Sequence, residues 1–410
     1  MQVVQFSAID KADTAWLLVS AALVLMMTLP GLSLFYAGLV RRKNVVNTLA
    51  SVFAVACLVS LLWFALGYPL AFGQGSAWLG GLAHLGFTAM HLDSAAGTLT
   101  VSHLAPKVPE AAYAMFQMTF CVITTCLIVG AVVERMRFSA LLLFAALWSV
   151  LVYAPIAHWV WEPGGWLNRL GALDFAGGAV VHVNAGMAGL VCAALLRRRQ
   201  GYGQQAFEPH SLGWTAMGAA LLLIGWFGFN AGSALAADGR AALAMLVTML
   251  AAASGGLAWM LTEWALRGAP TLLGLLSGIL AGLVAITPAA GFVQLGSAVL
   301  IGLIAGVACF WGATWLKRRL GVDDSLDVFG VHGIGGIVGS LLTGVFADRA
   351  ISGVDANLLN QAIAVGAVAA YSAIATAVLL LGIDLVLPLR ASPQQEHEGL
   401  DVTLHRERQL

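Results

Sequence analysis

The chain is organised around Asp174-Phe-Ala-Gly-Gly-Ala-Val-Val-His182-Val-Asn-Ala-Gly-Met-Ala-Gly189, where an ionisable ring lies inside an apolar stretch of membrane-spanning length. A second segment, Val331-His332-Gly-Ile-Gly-Gly-Ile-Val-Gly339, repeats its core, because glycine again follows the histidine at the fourth and seventh positions. On a helix these positions share one face, and glycine lets another helix approach closely. The pattern predicts that the two faces meet and that the paired imidazoles line a path through the membrane.

The composition predicts a multi-pass membrane protein. Of the 410 residues, 60% are hydrophobic and 10% are charged, and the mean hydropathy is +0.89. An ordinary soluble domain carries about 25% charged residues. The formal net charge is zero, which argues against a nucleic-acid partner. The five cysteines lie in apolar runs without metal or haem-attachment spacing, so we expect small core residues, no bound metal and no cofactor.

Eleven apolar runs are long enough to span a bilayer, which takes about 20 residues per helix. We therefore expect an all-α polytopic membrane fold with the lipid bilayer as its surroundings. The eleven transmembrane helices are expected at residues 14–40, 46–72, 111–133, 138–160, 174–196, 211–231, 241–266, 271–287, 293–316, 327–347 and 360–388.

Lysine and arginine predict the orientation. Fifteen of the 20 lie on the side reached after odd-numbered helices, and five lie on the other side. By the positive-inside rule, the N-terminus is outside and the C-terminus is cytoplasmic, in the inner (plasma) membrane of the cell. We divide the chain into a membrane domain, residues 1–390, and a polar cytoplasmic tail, residues 391–410. The tail is long enough to dock on a partner or on a neighbouring subunit.

This orientation makes the two histidine segments antiparallel, because helix five runs inward and helix ten runs outward. Antiparallel matching segments are typical of an inverted-topology repeat, whose substrate path lies near mid-membrane. Helices one to five would then match helices six to ten, with helix eleven outside the repeat. The alternative is a chance match, since a histidine followed by two glycines is a weak pattern in a chain with 47 glycines.

His182 and His332 lie too deep in their helices for their rings to reach water at the membrane surface. An ionisable group in hydrocarbon costs about 2.5 to 3.5 kcal/mol on insertion scales, so such groups usually face a cavity or a partner. A lone histidine would be interpreted as a hydrogen-bonded core residue, but two on repeat-related helices favour a functional pair. A neutral imidazole donates from one nitrogen and accepts at the other, so the pair offers a small solute both kinds of group.

Two aspartates stand at predicted helix starts. Asp174 opens helix five and Asp327 opens helix ten, where a carboxylate caps free N–H groups and favours the positive end of the helix dipole. For Asp174 this capping role and a direct contact with substrate are both open. Glu134 lies near a helix end beside Arg135, and we expect it to pair with that neighbour or to reach water.

Aromatic residues gather at the predicted outer helix ends. Trp161 belongs by default to the interfacial belt, but a Glu-Pro-Gly-Gly turn follows it and can place the indole over a pore mouth, where it attracts a cation. Phe116 and Phe120 stand at i and i+4, a spacing that most often indicates core packing. Glycines around Phe229 and Ser233 allow close approach or local unwinding near the outer end of helix six.

The longest connection, residues 73–110, carries three of the nine histidines, His84, His91 and His103. Their spacing matches no helix face, and no acidic or thiol side chain stands beside them in the sequence. We therefore expect solvated loop residues rather than metal ligands.

Four ordered motifs make the chain resemble the Amt/Mep/Rh family of ammonium transporters, and in particular its bacterial Amt branch. The resemblance runs through nearly the whole chain. The motifs are Asp174-Phe-Ala-Gly-Gly-x-Val-Val-His182, Gly225-Trp-Phe-Gly-Phe-Asn-Ala-Gly-Ser233, Asp327-Val-Phe-Gly-Val-His332-Gly and Phe116-Gln-x-Thr-Phe120.

The resemblance implies a transporter rather than an enzyme, built as a homotrimer of eleven-helix subunits that each contain a narrow hydrophobic pore. Carried over by position, Trp161, Ser233 and Phe120 match an outer vestibule that binds ammonium, with methylammonium as an analogue. Asp174 matches the carboxylate near this recruitment site.

The resemblance also implies what lies below the vestibule. Phe120 and Phe229 match a stacked phenyl gate, and His182 with His332 match the twin histidines that line the pore. Ammonium would lose a proton at the gate, and ammonia would pass on as a neutral solute. The resemblance leaves open whether the proton follows along the histidines.

The tail carries a further part of the resemblance. Its motif Glu396-His-Glu-Gly-Leu-Asp401 is similar to the family's tail, which in many bacterial members docks a nitrogen-regulatory P-II protein. The chain departs from these relatives at His405-Arg-Glu407, where they commonly carry His-Gly-Glu.

Two other functions are compatible with the residues. A haem-bearing electron-transfer subunit would use His182 and His332, together with His158, as axial ligands across a wide pocket. An ammonium sensor would keep the fold and signal through its tail, although no signalling domain is fused to the C-terminus.

Overall fold

The computed structural model of the chain describes residues 2–82, 85–88 and 90–408, so His84 lies outside the described residues. Within these ranges ten helices are long and apolar enough to cross a membrane, and an eleventh apolar helix, α8, has 15 residues. In chain order, α1 to α11 are Lys11–Leu39, Arg42–Phe72, Glu110–Val132, Phe138–Leu170, Gly178–Leu195, Leu212–Gly232, Gly239–Arg267, Leu272–Ile286, Leu295–Leu320, Phe329–Phe346 and Leu358–Asp384.

Each predicted span overlaps one of these helices, although many of the ends differ by a few residues. Two of the differences have a structural cause. Helix α4 is interrupted after Trp161 by a turn at 162–165 and resumes as Trp166–Leu170. Helix α5 begins at Gly178 rather than at residue 174, because the preceding residues form the loop that caps it.

A small antiparallel sheet covers one end of the helix bundle. Strand β3 (Thr98–Ser102) pairs with β1, β2 and β4, which are Gln2–Gln5, Leu92–Asp93 and Ala105–Pro109. Gln2 lies opposite Val101 and Gln5 lies opposite Thr98, so the N-terminal segment is joined to the long loop before α3. We did not predict these strands from the sequence, because secondary structure was assigned only from apolar runs long enough to cross a membrane. We call this end of the bundle the sheet end and the opposite end the tail end.

Helix α3 forms the centre of the bundle, since 94% of its most apolar window is buried. It packs against α1, α2 and α5. Helices α5 and α10 cross reciprocally: the first turns of α5 contact the later part of α10, and the first turns of α10 contact the later part of α5. This reciprocal contact confirms that the two histidine segments meet as an antiparallel pair.

Glycine makes the α5–α10 crossing close. A Cβ atom added at Gly186 would lie 2.3 Å from the Cα atom of Gly333, and one added at Gly336 would lie 2.9 Å from the Cβ atom of His182. Two non-bonded carbon atoms cannot lie this close together, so a larger residue at either glycine would force the backbones of the two helices apart. The notches predicted beneath the two histidines therefore set the distance between the helices.

The outward faces of the helices carry exposed apolar side chains. Leu261, Ile374 and Val378 are 56%, 65% and 63% exposed. A helix with an apolar outer face and a packed inner face is typical of a protein surrounded by lipid rather than by water. The chain is therefore a multi-pass membrane protein.

A buried cluster of ions joins several helices at the tail end. Glu134 accepts hydrogen bonds from Arg41 Nε (2.9 Å) and from Arg199, and Asp323 accepts from Arg199 Nε (2.9 Å) and Nη2 (2.7 Å). The expected pairing of Glu134 with Arg135 is wrong, since Arg135 donates to the Asp323 carbonyl instead. Burial opposes the charge of Glu134, but Arg199 and Arg41 hold the pKa of its carboxyl below the usual value.

The tail folds back onto the start of α2. It contains a short helix, α12 (Pro393–Glu398), and then a turn at Asp401–His405. Asp401 Oδ1 accepts the backbone N–H of Asn47 at 2.8 Å, and Lys43 Nζ donates to the Glu396 carbonyl at 2.7 Å. The tail thus caps a helix of its own chain.

Candidate functional site

Two cavities lie on either side of a stacked phenyl pair in the interior of the bundle. The rings of Phe120 and Phe229 are 14° from parallel, with centroids 4.2 Å apart, and both side chains are buried. Phe120 lines a cavity of about 130 Å³ near the sheet end, the sheet-side cavity. Phe229 lines a cavity of about 220 Å³ that extends towards the tail end, the tail-side cavity. The phenyl stack thus separates the two cavities.

Trp161 forms one wall of the sheet-side cavity. Its indole meets the ring of Phe120 edge to face at 87°, with centroids 5.7 Å apart. The indole Nε1 donates to the backbone carbonyl of Asp174 at 2.8 Å, so the ring has a defined orientation. The turn after Trp161 ends the helix there, and the indole lies against the cavity.

Ser233 contributes a hydroxyl to the same cavity. Helix α6 ends at Gly232, and the Ser233 hydroxyl donates to the Phe229 carbonyl at 2.9 Å. A hydroxyl that donates its proton to the backbone still has lone pairs that accept from a solute. The sheet-side cavity therefore combines aromatic faces with a hydrogen-bond acceptor. It is lined by Leu104, Tyr113, Gln117, Phe120, Trp161, Phe175, Ser233 and Leu235.

Asp174 caps the start of α5 and does not line the sheet-side cavity. Its two carboxylate oxygens accept four backbone N–H groups at 2.6 to 3.0 Å, those of Gly177, Gly178, Ala179 and Val180. These bonds satisfy donors that a helix start leaves free. Of the two interpretations left open by the sequence, the geometry matches the cap. Asp174 reaches the cavity indirectly, because its carbonyl holds the Trp161 indole.

The corresponding cap of α10 is Asp324, so the expectation that Asp327 caps this helix is wrong. Asp324 Oδ2 accepts the N–H of Phe329 at 2.7 Å, whereas the Asp327 carboxylate pairs with Lys317 Nζ at 2.7 Å. Burial raises the pKa of Asp324 to about 6. Both histidines thus stand eight residues after a capping aspartate.

His182 and His332 meet behind the phenyl stack. Their Nδ1 atoms are 3.3 Å apart, and the two rings are 19° from parallel. One Nδ1 must donate and the other accept, so the neutral pair holds complementary tautomers. The ring of His182 also lies 6.1 Å from that of Phe229, which places the pair next to the phenyl stack. Both histidines line the tail-side cavity.

Both histidines lie in π-helical turns, His182 in Gly178–Val183 and His332 in Phe329–Gly333. Such turns interrupt an α-helix with one wide turn and are frequent at functional sites. Here each wide turn lies where the two helices cross.

Sequence reasoning missed several residues that line the two cavities. The ring of Trp226 stacks on His182, with centroids 5.4 Å apart, and its Nε1 donates to the Thr287 hydroxyl at 2.9 Å. Trp226 lies inside the family motif that begins at Gly225, so its position in that motif could have identified it as a site residue. Phe175 and Gln117 also lie inside family motifs, those that begin at Asp174 and Phe116. Leu104 lies in the loop before α3, where no sequence motif pointed to a site residue.

The loop histidines differ from expectation in one case. His91 is exposed, with Nε2 at 3.3 Å from the Thr98 hydroxyl. His103 contacts the carboxylate of Glu162 at 2.9 Å, a partner 59 residues away in the chain that local spacing could not reveal. In the described ranges, no group of three or more histidine, cysteine, aspartate or glutamate side chains is placed to hold a metal ion.

A family model described as "Ammonium Transporter Family" matches residues 15–410. The chain belongs to the ammonium transporter family. The ammonium transporter of Bacillus subtilis is 47% identical over 408 residues, covering 97% of this chain and 98% of its own length. That of Aquifex aeolicus is 48% identical, covering 98% and 93%. Members of this family are transporters rather than enzymes, and ammonium or ammonia is the substrate.

Solved structures carry the same fold. Mep2 of Candida albicans matches with a TM-score of 0.87 at 36% identity, over 96% of this chain and 89% of the other. A structure described as "Sensor Amt Protein" matches with a TM-score of 0.87 at 28% identity, over 96% and 98%. The all-α membrane fold of the ammonium transporters is therefore the fold of this chain.

The geometry of the histidine pair disagrees with haem ligation. Two axial ligands stand on opposite faces of the macrocycle, but His182 and His332 lie in direct contact, with Nδ1 atoms 3.3 Å apart. No macrocycle fits between them.

Proposed function

We propose that the chain recruits ammonium in the sheet-side cavity, removes a proton at the phenyl stack and conducts ammonia past His182 and His332. The observation that carries this proposal is the order of groups along one line. A cavity with aromatic walls and a hydroxyl comes first, then the Phe120–Phe229 stack, then the contacting imidazoles.

Recruitment rests on two kinds of attraction. A cation over an aromatic face gains about 0.5 to 2 kcal/mol, the larger value applying where water is excluded. Trp161 and Phe120 supply such faces at right angles to one another. The Ser233 hydroxyl, already donating to its own helix, is left to accept from an N–H of the ion. Asp174 acts as a positioning residue, since its carbonyl fixes the indole.

Deprotonation follows from the cost of moving charge into an apolar site. The stacked rings of Phe120 and Phe229 give a cation no polar group to replace its water, so a bare charge is strongly disfavoured there. Potassium and sodium cannot lose their charge, whereas ammonium becomes neutral by giving one proton to water on the sheet side of the stack or, where the proton is co-transferred, to an imidazole of the His182–His332 pair. Selectivity then arises from chemistry rather than from pore diameter.

The histidine pair supports passage of the neutral amine. Ammonia both donates and accepts hydrogen bonds, and the pair presents complementary tautomers to it. His182 Nε2 is buried and has no hydrogen-bond partner among the described residues, so it is available to a solute. Neutral conduction and co-transfer of the proton share this geometry and differ in the charge that crosses the membrane.

We also propose the arrangement of the protein in the cell. The sheet end faces outward and the tail end faces the cytoplasm, in agreement with the excess of basic residues at the tail end. Residues 1–390 form the membrane domain and residues 391–410 the tail. The homotrimer and a P-II partner at the tail are proposed from the resemblance, and the contact of Asp401 with Asn47 holds the tail against α2.

The test is reconstitution in liposomes with an ammonium pulse, a pH-sensitive dye inside the vesicles and a current recording. Wild-type protein is expected to move ammonium and methylammonium faster than empty vesicles do. His182→Ala and His332→Ala are expected to lower the rate, whereas His91→Gln, at an exposed loop position, keeps it. A wild-type rate equal to that of empty vesicles removes the proposal, and a current that scales with flux assigns co-transfer of the proton.

A sensor role is the second candidate, favoured by the likeness to the Sensor Amt Protein structure. It predicts that the purified protein binds ammonium while the same preparation gives no flux in liposomes.

A further inference from the structure

An ion pair stands at the rim of the sheet-side cavity and has no part in the mechanism above. His103 Nε2 lies 2.9 and 3.0 Å from the two carboxylate oxygens of Glu162. The Glu162 side chain is 7% exposed, while that of His103 is 33% exposed. The carboxylate is therefore shielded from water by its partner, and the partner remains in contact with water.

The pair connects two parts of the cavity. His103 lies in the turn between β3 and β4, and its neighbour Leu104 lines the cavity. Glu162 directly follows Trp161, which forms the wall that faces Phe120. A charge on Glu162 is thus one residue away from the indole that would hold a cation.

Other polar side chains surround the pair. On α4, Arg169 Nη2 and Glu162 Oε1 both approach Gly164, at 3.8 and 4.0 Å from the position of an added Cβ. On α3, Tyr113 is buried and lines the sheet-side cavity.

Two further groups complete the surroundings. Glu110 accepts a hydrogen bond from Tyr68 at 2.8 Å, and both ring nitrogens of His158 contact backbone carbonyls, at 2.9 and 2.8 Å. His158 is buried, whereas the imidazole of His103 is in contact with water, so His103 is the histidine of this region that can exchange protons with the solution.

We propose that Glu162 strengthens the binding of ammonium in the sheet-side cavity and that the charge on its partner His103 sets the size of this contribution. The inference rests on the proposed recruitment of ammonium in this cavity. A protonated His103 neutralises the carboxylate, and a neutral His103 leaves a net negative charge beside Trp161. The field at the cavity then favours a cation more at higher pH.

These charges give the sign of the effect of pH on the half-saturation concentration. As pH rises from about 5.5 to 7.5, the half-saturation concentration for ammonium falls by about threefold to tenfold in the wild type. His103→Gln keeps a hydrogen-bond donor but cannot be charged, so it is expected to show the low value at both pH values. Glu162→Gln removes the negative charge and is expected to show a high value at both.

The experiment compares these variants in liposomes with equal pH on both sides, and by calorimetric titration of the detergent-solubilised protein with ammonium chloride. His91→Gln is the matched control, an exposed histidine just before β2 of the same sheet, and it should follow the wild type. The inference is overturned if His103→Gln keeps the wild-type pH dependence, or if Glu162→Gln leaves the half-saturation concentration unchanged.

The two readouts separate this inference from the proposed function. Absence of flux in the wild type removes transport, while the calorimetric comparison still decides whether ammonium binding depends on the ion pair. Normal flux with a pH profile that His103→Gln does not alter removes the ion-pair inference and leaves transport intact. Elution of each variant at the wild-type volume in size-exclusion chromatography shows that it is folded.

Discussion

Asp174 and Asp324 occupy matching positions in the two halves of the fold. Each stands eight residues before one of the two paired histidines, and each carboxylate accepts backbone N–H at the start of the helix that carries this histidine. The two caps lie near opposite ends of the bundle, as an inverted repeat requires. An aspartate therefore anchors each histidine helix at its first turn.

Replacing Asp174 tests whether the residue is a cap or a ligand. Asp174→Ala leaves up to four N–H groups without an acceptor, at about 1 to 3 kcal/mol for each buried group, so a clear loss of thermal stability in detergent is expected. Asp174→Asn keeps one acceptor oxygen, so its thermal stability should lie between those of the wild type and Asp174→Ala. Asp355→Asn, at an exposed site, is the control. Full stability of Asp174→Asn with complete loss of transport would instead indicate direct contact with ammonium.

The glycine contact between α5 and α10 predicts a size limit. Gly186→Ala places a Cβ atom 2.3 Å from Gly333, so the helices must separate, and the 3.3 Å contact between the histidines is lost with them. We expect lower stability and strongly reduced flux. Gly366→Ala, on α11 with nothing within 4 Å of the added atom, should be neutral or stabilising by up to about 1 kcal/mol. Equal stability and equal flux in Gly186→Ala and Gly366→Ala would contradict a size limit at the α5–α10 contact.

The sheet-side cavity predicts a division between affinity and rate. Ser233→Ala removes an acceptor to a charged donor, worth about tenfold in half-saturation concentration, and Trp161→Leu removes an aromatic face worth a few-fold to about thirtyfold. Maximal flux should change less in both, because neither residue forms the phenyl stack. Initial rates over a range of ammonium concentrations measure the two parameters. An unchanged half-saturation concentration in both variants would remove these residues from the recruitment site.

The ion cluster at the tail end predicts acid sensitivity. Because Arg199 and Arg41 lower the pKa of Glu134 in the folded chain, the stabilisation is complete above the unfolded value, about 4.3, and is lost as pH falls below it. Glu134→Gln should lower the thermal midpoint at neutral pH, since breaking a buried pair costs about 3 to 5 kcal/mol. The difference from the wild type should shrink below about pH 4.3. A difference independent of pH would mean that packing, not charge, is responsible.

The sequence predicted the spans, the meeting of His182 with His332 and the antiparallel crossing, because hydrophobic periodicity and a spaced glycine pattern are local signals. It missed the pairing of Glu134 with Arg199 and of His103 with Glu162. These partners are 65 and 59 residues apart, and no local spacing reports such contacts. The choice of Asp327 over Asp324 as the cap failed for a related reason, since a cap three residues further from the helix depends on the path of the loop.

The π-helical turns around the two histidines mean that their alignment is encoded by the number of residues, not only by their identity. Removing one residue from Gly178–Val183 would restore an ordinary α-helix and rotate the preceding part by about 100° relative to the rest. The loop that carries the Asp174 cap and the helix that carries the His182 imidazole would then lose their present relative orientation. Insertions and deletions in these two short stretches should therefore be far more harmful than substitutions, because the length of each turn sets the orientation of its histidine.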